Sequence, residues 1–133
     1  MNVKTATIGT ALVLGAVAFG ITGCNDHAAS PLPTVAASTT SDVVYKVTGT
    51  AKAVNLTMQS AAGIVQQNNA AVPVRNKTGS EGLHYTMSPS AFVYVAAQNQ
   101  GAYGTVTCSI EVDGVVVSTN TSTGGYSIAT CQG

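Results

Sequence analysis

The amino-acid sequence predicts an all-β fold: a small immunoglobulin-like β-sandwich of about seven strands, carried behind an N-terminal signal helix and a flexible tether. Three observations predict it. From Val43 onward the apolar residues recur with a period of two, and no segment has the 3.6-residue period of an amphipathic helix. Turn signals rich in Gly, Asn, Asp and Ser separate the apolar runs at intervals of about 8 to 12 residues. Charged residues make up only 8% of the chain, against about 25% in an ordinary soluble domain. The surface is therefore coated by Thr, Ser, Asn, Gln and Gly, as suits an exported β domain.

The chain opens on Met1-Asn2-Val3-Lys4 and continues through an uncharged Leu/Val/Ala-rich run to Thr22-Gly23-Cys24. A positive start, an apolar run and small residues, in that order, form a secretory signal. Ile21-Thr22-Gly23-Cys24 resembles the bacterial lipobox at all four positions, so residues 1–23 read as a lipoprotein signal peptide and Cys24 as the lipidation site. The implied partner is the plasma membrane, held through a lipid anchor on its extracytoplasmic face. Two other readings use the same residues. About 16 to 18 apolar residues approach the length of an uncleaved membrane anchor, and a secreted protein could carry Cys24 as a free thiol. The three cysteines, Cys24, Cys108 and Cys131, weigh against the last, because an unpaired thiol is a liability in an oxidising compartment.

Residues 24–42 contain two prolines, many small polar residues and no apolar period, and read as the tether. His27 within it reads as a solvated linker residue. The lipobox leaves residues 24–133, one domain's worth of length, with the β domain over residues 43–133. Once Lys4 is removed with the signal, four basic and five acidic residues leave a net charge of −1. No basic patch is available to hold nucleic acid.

The strands follow in order. Val43, Tyr45 and Val47 share one face of the first, and Val54, Leu56 and Met58 one face of the second. A turn at Ser60–Gly63 joins the second to "GIVQQ" as a hairpin. Residues 91–98, "AFVYVAAQ", are apolar on both faces and suit a central strand covered on both sides. "TVTCSIEV" turns Val106, Cys108, Ile110 and Val112 inward, and Asp113-Gly114 supplies the positive φ angles of a tight hairpin turn before "VVVST" returns. The last strand, "YSIATC", carries Cys131.

A bridge between Cys108 and Cys131 would stabilise so small a domain by about 3 kcal/mol; the alternative is two reduced, buried thiols. If Cys131 faces inward, strict alternation leaves Tyr126 and Ile128 on the outer face. That requires either a bulge or a cover over that face.

Tyr45-x-Val47-Thr48-Gly49, Ala97-Gln98, Thr107-Cys108-x-Ile110-x-Val112-Asp113-Gly114 and the closing Cys131 resemble the MmpS family, the small mycobacterial membrane proteins. The likeness spans most of residues 43–131. It implies a compact β domain at the outer face of the plasma membrane, beside a large MmpL-like transporter of the resistance-nodulation-division (RND) class that exports lipids or siderophores. Family members carry an N-terminal transmembrane helix where this chain has a lipobox, which implies a lipoprotein branch. The segment "AAVPVRNKTG" also lacks the aromatic residue usual in mid-domain.

Catalysis is not expected. Outside the tether the chain has His84 and the acids Asp42, Glu81, Glu111 and Asp113. Glu81, His84 and Ser88 lie near one another in sequence, but nothing sets them in nucleophile–base geometry, and Asp113 is accounted for by its turn. No metal site or cofactor is expected once Cys24 is acylated and the other two cysteines are bridged. Matches to the N-glycosylation pattern at Asn55, Asn76 and Asn120 are ascribed to chance in a Thr-rich bacterial chain. Two function classes follow: a membrane-tethered accessory or interaction domain, and, as the alternative, a carrier of a lipid or other small apolar ligand without a transporter partner.

Overall fold

The computed structural model describes residues 37–133. The signal segment, Cys24 and the first part of the tether, through residue 36, lie outside the described residues. The described strands are β1 (Ser41–Gly49), β2 (Ala53–Ser60), β3 (Gly63–Ala71), β4 (Leu83–Met87), β5 (Tyr94–Asn99), β6 (Thr105–Val112), β7 (Val115–Thr123) and β8 (Ile128–Gln132). They form two four-stranded sheets, ordered β4-β1-β6-β7 and β3-β2-β5-β8. Every neighbouring pair is antiparallel.

The period of two becomes a shared interior. Val43, Tyr45 and Val47 of β1, Val54, Leu56 and Met58 of β2, and Val106, Cys108 and Ile110 of β6 are all buried in one core. Each large apolar side chain so buried contributes about 1.5–3 kcal/mol relative to exposure. The disulfide between Cys108 of β6 and Cys131 of β8 crosses this core from one sheet to the other, with the Cα atoms 6.0 Å apart. That spacing is ordinary for a disulfide.

Eight strands form where about seven were expected. The additional one is β4, whose five residues lie at a sheet edge, with Leu83, Tyr85 and Met87 opposite Tyr45, Val43 and Ser41. β1 begins at Ser41, two residues before the expected boundary. In residues 91–98 the strand starts only at Tyr94. Val95, Ala97 and Asn99 are fully buried beneath the opposing sheet, while Tyr94, Ala96 and Gln98 on the other face are partly exposed. The apolar character of that second face therefore does not reflect a second covering layer.

The tension at the C-terminal strand resolves without a bulge in β8. Ala129 and Cys131 are buried, and Ile128 and Tyr126 project outward at 54% and 64% exposure. Asp113 and Gly114 adopt φ angles of 51° and 80°, the double positive-φ turn that joins antiparallel strands with the correct twist. Asp113 also fastens the start of β1: its Oδ1 accepts from the Asp42 N–H at 2.8 Å, and its own N–H donates to the Asp42 carbonyl at 2.8 Å.

Strand directions give the sandwich two poles. At one, here the N-terminal pole, β1 begins, the 60–63 and 113–114 turns lie, and Gly133 pairs with Val93 just before β5. At the other, the loop pole, lie the connections 50–52, 100–104 and 124–127.

Candidate functional site

The loop pole is organised by Asn99. Alternation along β5 places it inward after Val95 and Ala97, where its carboxamide is fully buried. A buried amide needs partners to offset its lost hydration, and this one has three. Nδ2 donates to the carbonyls of Tyr103 and Gly124, each at 2.9 Å, and Oδ1 accepts from the Gly101 N–H at 2.8 Å. One side chain thus holds both the loop before β6 and the loop before β8.

Backbone bonds complete the platform. The Gly124 N–H donates to the Gly104 carbonyl at 2.9 Å and the Tyr126 N–H to the Gly101 carbonyl at 3.1 Å. On the third loop, the Thr50 and Ala51 N–H groups share the Thr105 carbonyl at 3.1 Å, and Thr50 Oγ1 accepts from the Thr105 N–H at 2.9 Å. The loops meet so closely that a Cβ added at Gly125 would stand 2.4 Å from the Ala102 carbonyl oxygen. Only glycine fits there.

This frame displays two tyrosines. Tyr103 is 87% exposed. Tyr126 holds a φ of 57°, a left-handed conformation that a bulky L-residue adopts only when its surroundings impose it. Beside Tyr103 lies an open depression of about 540 Å³, lined by Thr50, Lys52, Gly101, Ala102, Tyr103 and Gly104. Lys52 makes no salt bridge among the described residues. An exposed aromatic ring and a free ammonium on a pre-ordered backbone have the chemistry that recognition surfaces use, since aromatic anchors supply contact area at low conformational cost.

The residues singled out from sequence distribute differently. Cys24 lies outside the described residues. Cys108 and Cys131 are joined as expected, and Asp113-Gly114 forms its turn at the pole opposite the platform. Glu81 pairs with Arg75 only through an isolated backbone β-bridge, whereas His84 Nδ1 lies 3.7 Å from Asp42 Oδ2. The acid–histidine contact at this edge thus involves Asp42, on an exposed surface and with no nucleophile bonded to it. Burial raises the pKa of the Tyr45 phenol, partly opposed by the Tyr94 N–H bonded to its oxygen, with Tyr85 adding a smaller upward push. Among the described residues no group of three or more His, Cys, Asp or Glu is placed to hold a metal ion.

Sequence pattern alone does not mark Asn99, Tyr103 and Tyr126 as a site. The available signal is a polar residue at an inward position, followed by two glycine-containing turns that each carry a tyrosine, "NQGAYG" and "TGGYS". Comparison with protein-family profiles and with curated proteins finds no match for this chain.

Proposed function

We propose that this chain is a membrane-tethered extracytoplasmic interaction module, an MmpS-like accessory subunit that docks its loop pole onto the outer domain of an RND-class exporter of lipid or siderophore. The observation that carries this reading is the Asn99-locked display of Tyr103 beside Lys52, at the pole opposite the start of β1. The lipobox at Ile21–Cys24 and the likeness to the MmpS family support it from the sequence. The role is positional, so it draws on no catalytic group.

Tethering supplies the energetics. Confinement to the membrane through Cys24 and a short linker raises the local concentration at a neighbouring transporter toward about the millimolar range. A modest docking surface then suffices, and two tyrosines with one cation are of that scale.

The test is co-purification of the exporter with the tagged chain, paired with an export assay in a strain lacking the chromosomal copy. Cys24→Ala and the double substitution Tyr103→Ala, Tyr126→Ala should each impair both, while His84→Ala should leave both intact. The carrier alternative is favoured by the volume of the depression, which falls within the usual range of small-molecule sites. A lipid extracted stoichiometrically from the purified protein, lost in Tyr103→Ala, would select the carrier over the docking subunit.

A further inference from the structure

The exposed large apolar residues are not scattered. Ile64, Phe92, Val115, Val116 and Val117, exposed between 48% and 64%, all lie at the N-terminal pole; Tyr103, Tyr126 and Ile128 lie at or next to the loop pole. Phe92 stacks on Tyr94 with ring centroids 6.3 Å apart, which extends the apolar surface onto the adjoining sheet face. Val117 and Val93 both lie against Gly133, so the start of β7 and the segment before β5 form one neighbourhood. Clustered exposed apolar groups at one end of a small, Thr-coated domain call for an occupant.

We infer that the N-terminal pole rests on the lipid surface, with Phe92 and Val115–Val117 entering the headgroup boundary and the loop pole turned away from the membrane. This rests on the tethered reading proposed above. Chain length argues for lipid as the occupant. Residues 25–40 separate Cys24 from β1, which begins at this same pole. A coil of 16 residues, the length of 25–40, spans about 22 Å on average, so the apolar pole is held within reach of the bilayer. The loop pole lies a full strand farther off.

The charges present argue for apolar insertion rather than electrostatic adhesion. Asp42 and Asp113 occupy this pole, and the nearest cation, Lys46, is paired with Glu111. The apolar part of such binding scales with buried apolar area and needs no anionic lipid.

The experiment uses the acylated full chain, purified from membranes and reconstituted on phosphatidylcholine vesicles. Phe92→Cys, Val116→Cys and Tyr103→Cys variants each carry an environment-sensitive fluorophore, and the vesicles contain brominated or ordinary acyl chains. The expected result is a blue shift and bromine quenching at positions 92 and 116 and neither at 103, with all three variants floating with the vesicles. Adding phosphatidylglycerol should reduce the quenching, because the two aspartates oppose it. Flotation with quenching absent or equal at all three positions would overturn the orientation while leaving the tether intact. Failure to float would overturn both. Protection at 92 and 116 without bromine quenching, together with a dimer mass, would assign the pole to a second copy instead.

Discussion

The Asn99 carboxamide donates to the Gly124 carbonyl at 2.9 Å, tying the end of β5 to the loop that leads into β8, 25 residues further along the chain. With its bonds to Tyr103 and Gly101, this makes one fully buried side chain the common fastening of both tyrosine loops. Asn99→Leu replaces it with a group of similar volume that satisfies none of the three backbone partners. Leaving buried carbonyls and an N–H unpaired costs about 1–3 kcal/mol each where water cannot reach them. The variant should lose about 2–4 kcal/mol of stability in urea unfolding. Amide exchange should quicken first at Gly101 and in the 124–127 loop. Uniform loss of protection across both sheets would instead mark a general core defect.

Cys108 and Cys131 test the clamp between sheets. Their bond constrains a loop with sequence separation 23, which corresponds to about 3 kcal/mol in the unfolded-state entropy account. Cys108→Ser with Cys131→Ser should lower the urea midpoint accordingly. Thiol labelling of the purified wild-type domain should find neither cysteine reactive before reduction and both after.

Two glycines separate the cost of conformation from the cost of space. Gly49 has a φ of 134°, and an added Cβ would stand 2.2 Å from the Thr105 carbonyl oxygen, whereas Gly63 has a φ of 117° with open space around it. Gly63→Ala therefore carries backbone strain alone, about 1–2 kcal/mol. Gly49→Ala must in addition push β1 away from β6, where their pairing ends, and should destabilise by at least about 3 kcal/mol. Equal thermal midpoints for the two variants would contradict this packing.

Most of the sandwich was legible because its signals are local. The inward series Val43-Tyr45-Val47 and Val106-Cys108-Ile110, the Asp113-Gly114 turn and the Cys108–Cys131 pair each depend on residues whose roles follow from alternation, turn chemistry or cysteine count. β4 escaped because five residues at an edge, with His84 and Thr86 between its inward positions, carry too short a period to stand out. Val44 is buried although it lies on the outward side of β1, since the Gly82 segment packs against it. No strand periodicity reports such a crossing. The loop platform was hidden for the same reason: Asn99 gains its meaning from Gly124, and that contact exists only once two loops distant in sequence meet.

Tyr45 gives a pH-dependent prediction whose sign follows from its burial. The side chain is 1% exposed, its hydroxyl donates to Met87 Sδ at 3.9 Å, and its oxygen accepts from the Tyr94 N–H at 3.4 Å. Burial is the largest influence and raises the phenol pKa above its ordinary value of 10.0. The unfolded chain therefore releases this proton at a lower pH than the folded protein does. The stability from the raised pKa is complete below about pH 10 and is lost as pH climbs through the folded value. Tyr45→Phe keeps the ring and removes the titration. At about pH 8 the variant should be less stable by roughly 1 kcal/mol, the cost of leaving the Tyr94 N–H without its acceptor. Between about pH 9.5 and 11 the wild-type urea midpoint should fall more steeply than that of the variant, so the two curves converge. Parallel curves over that interval would place the alkaline transition on another group.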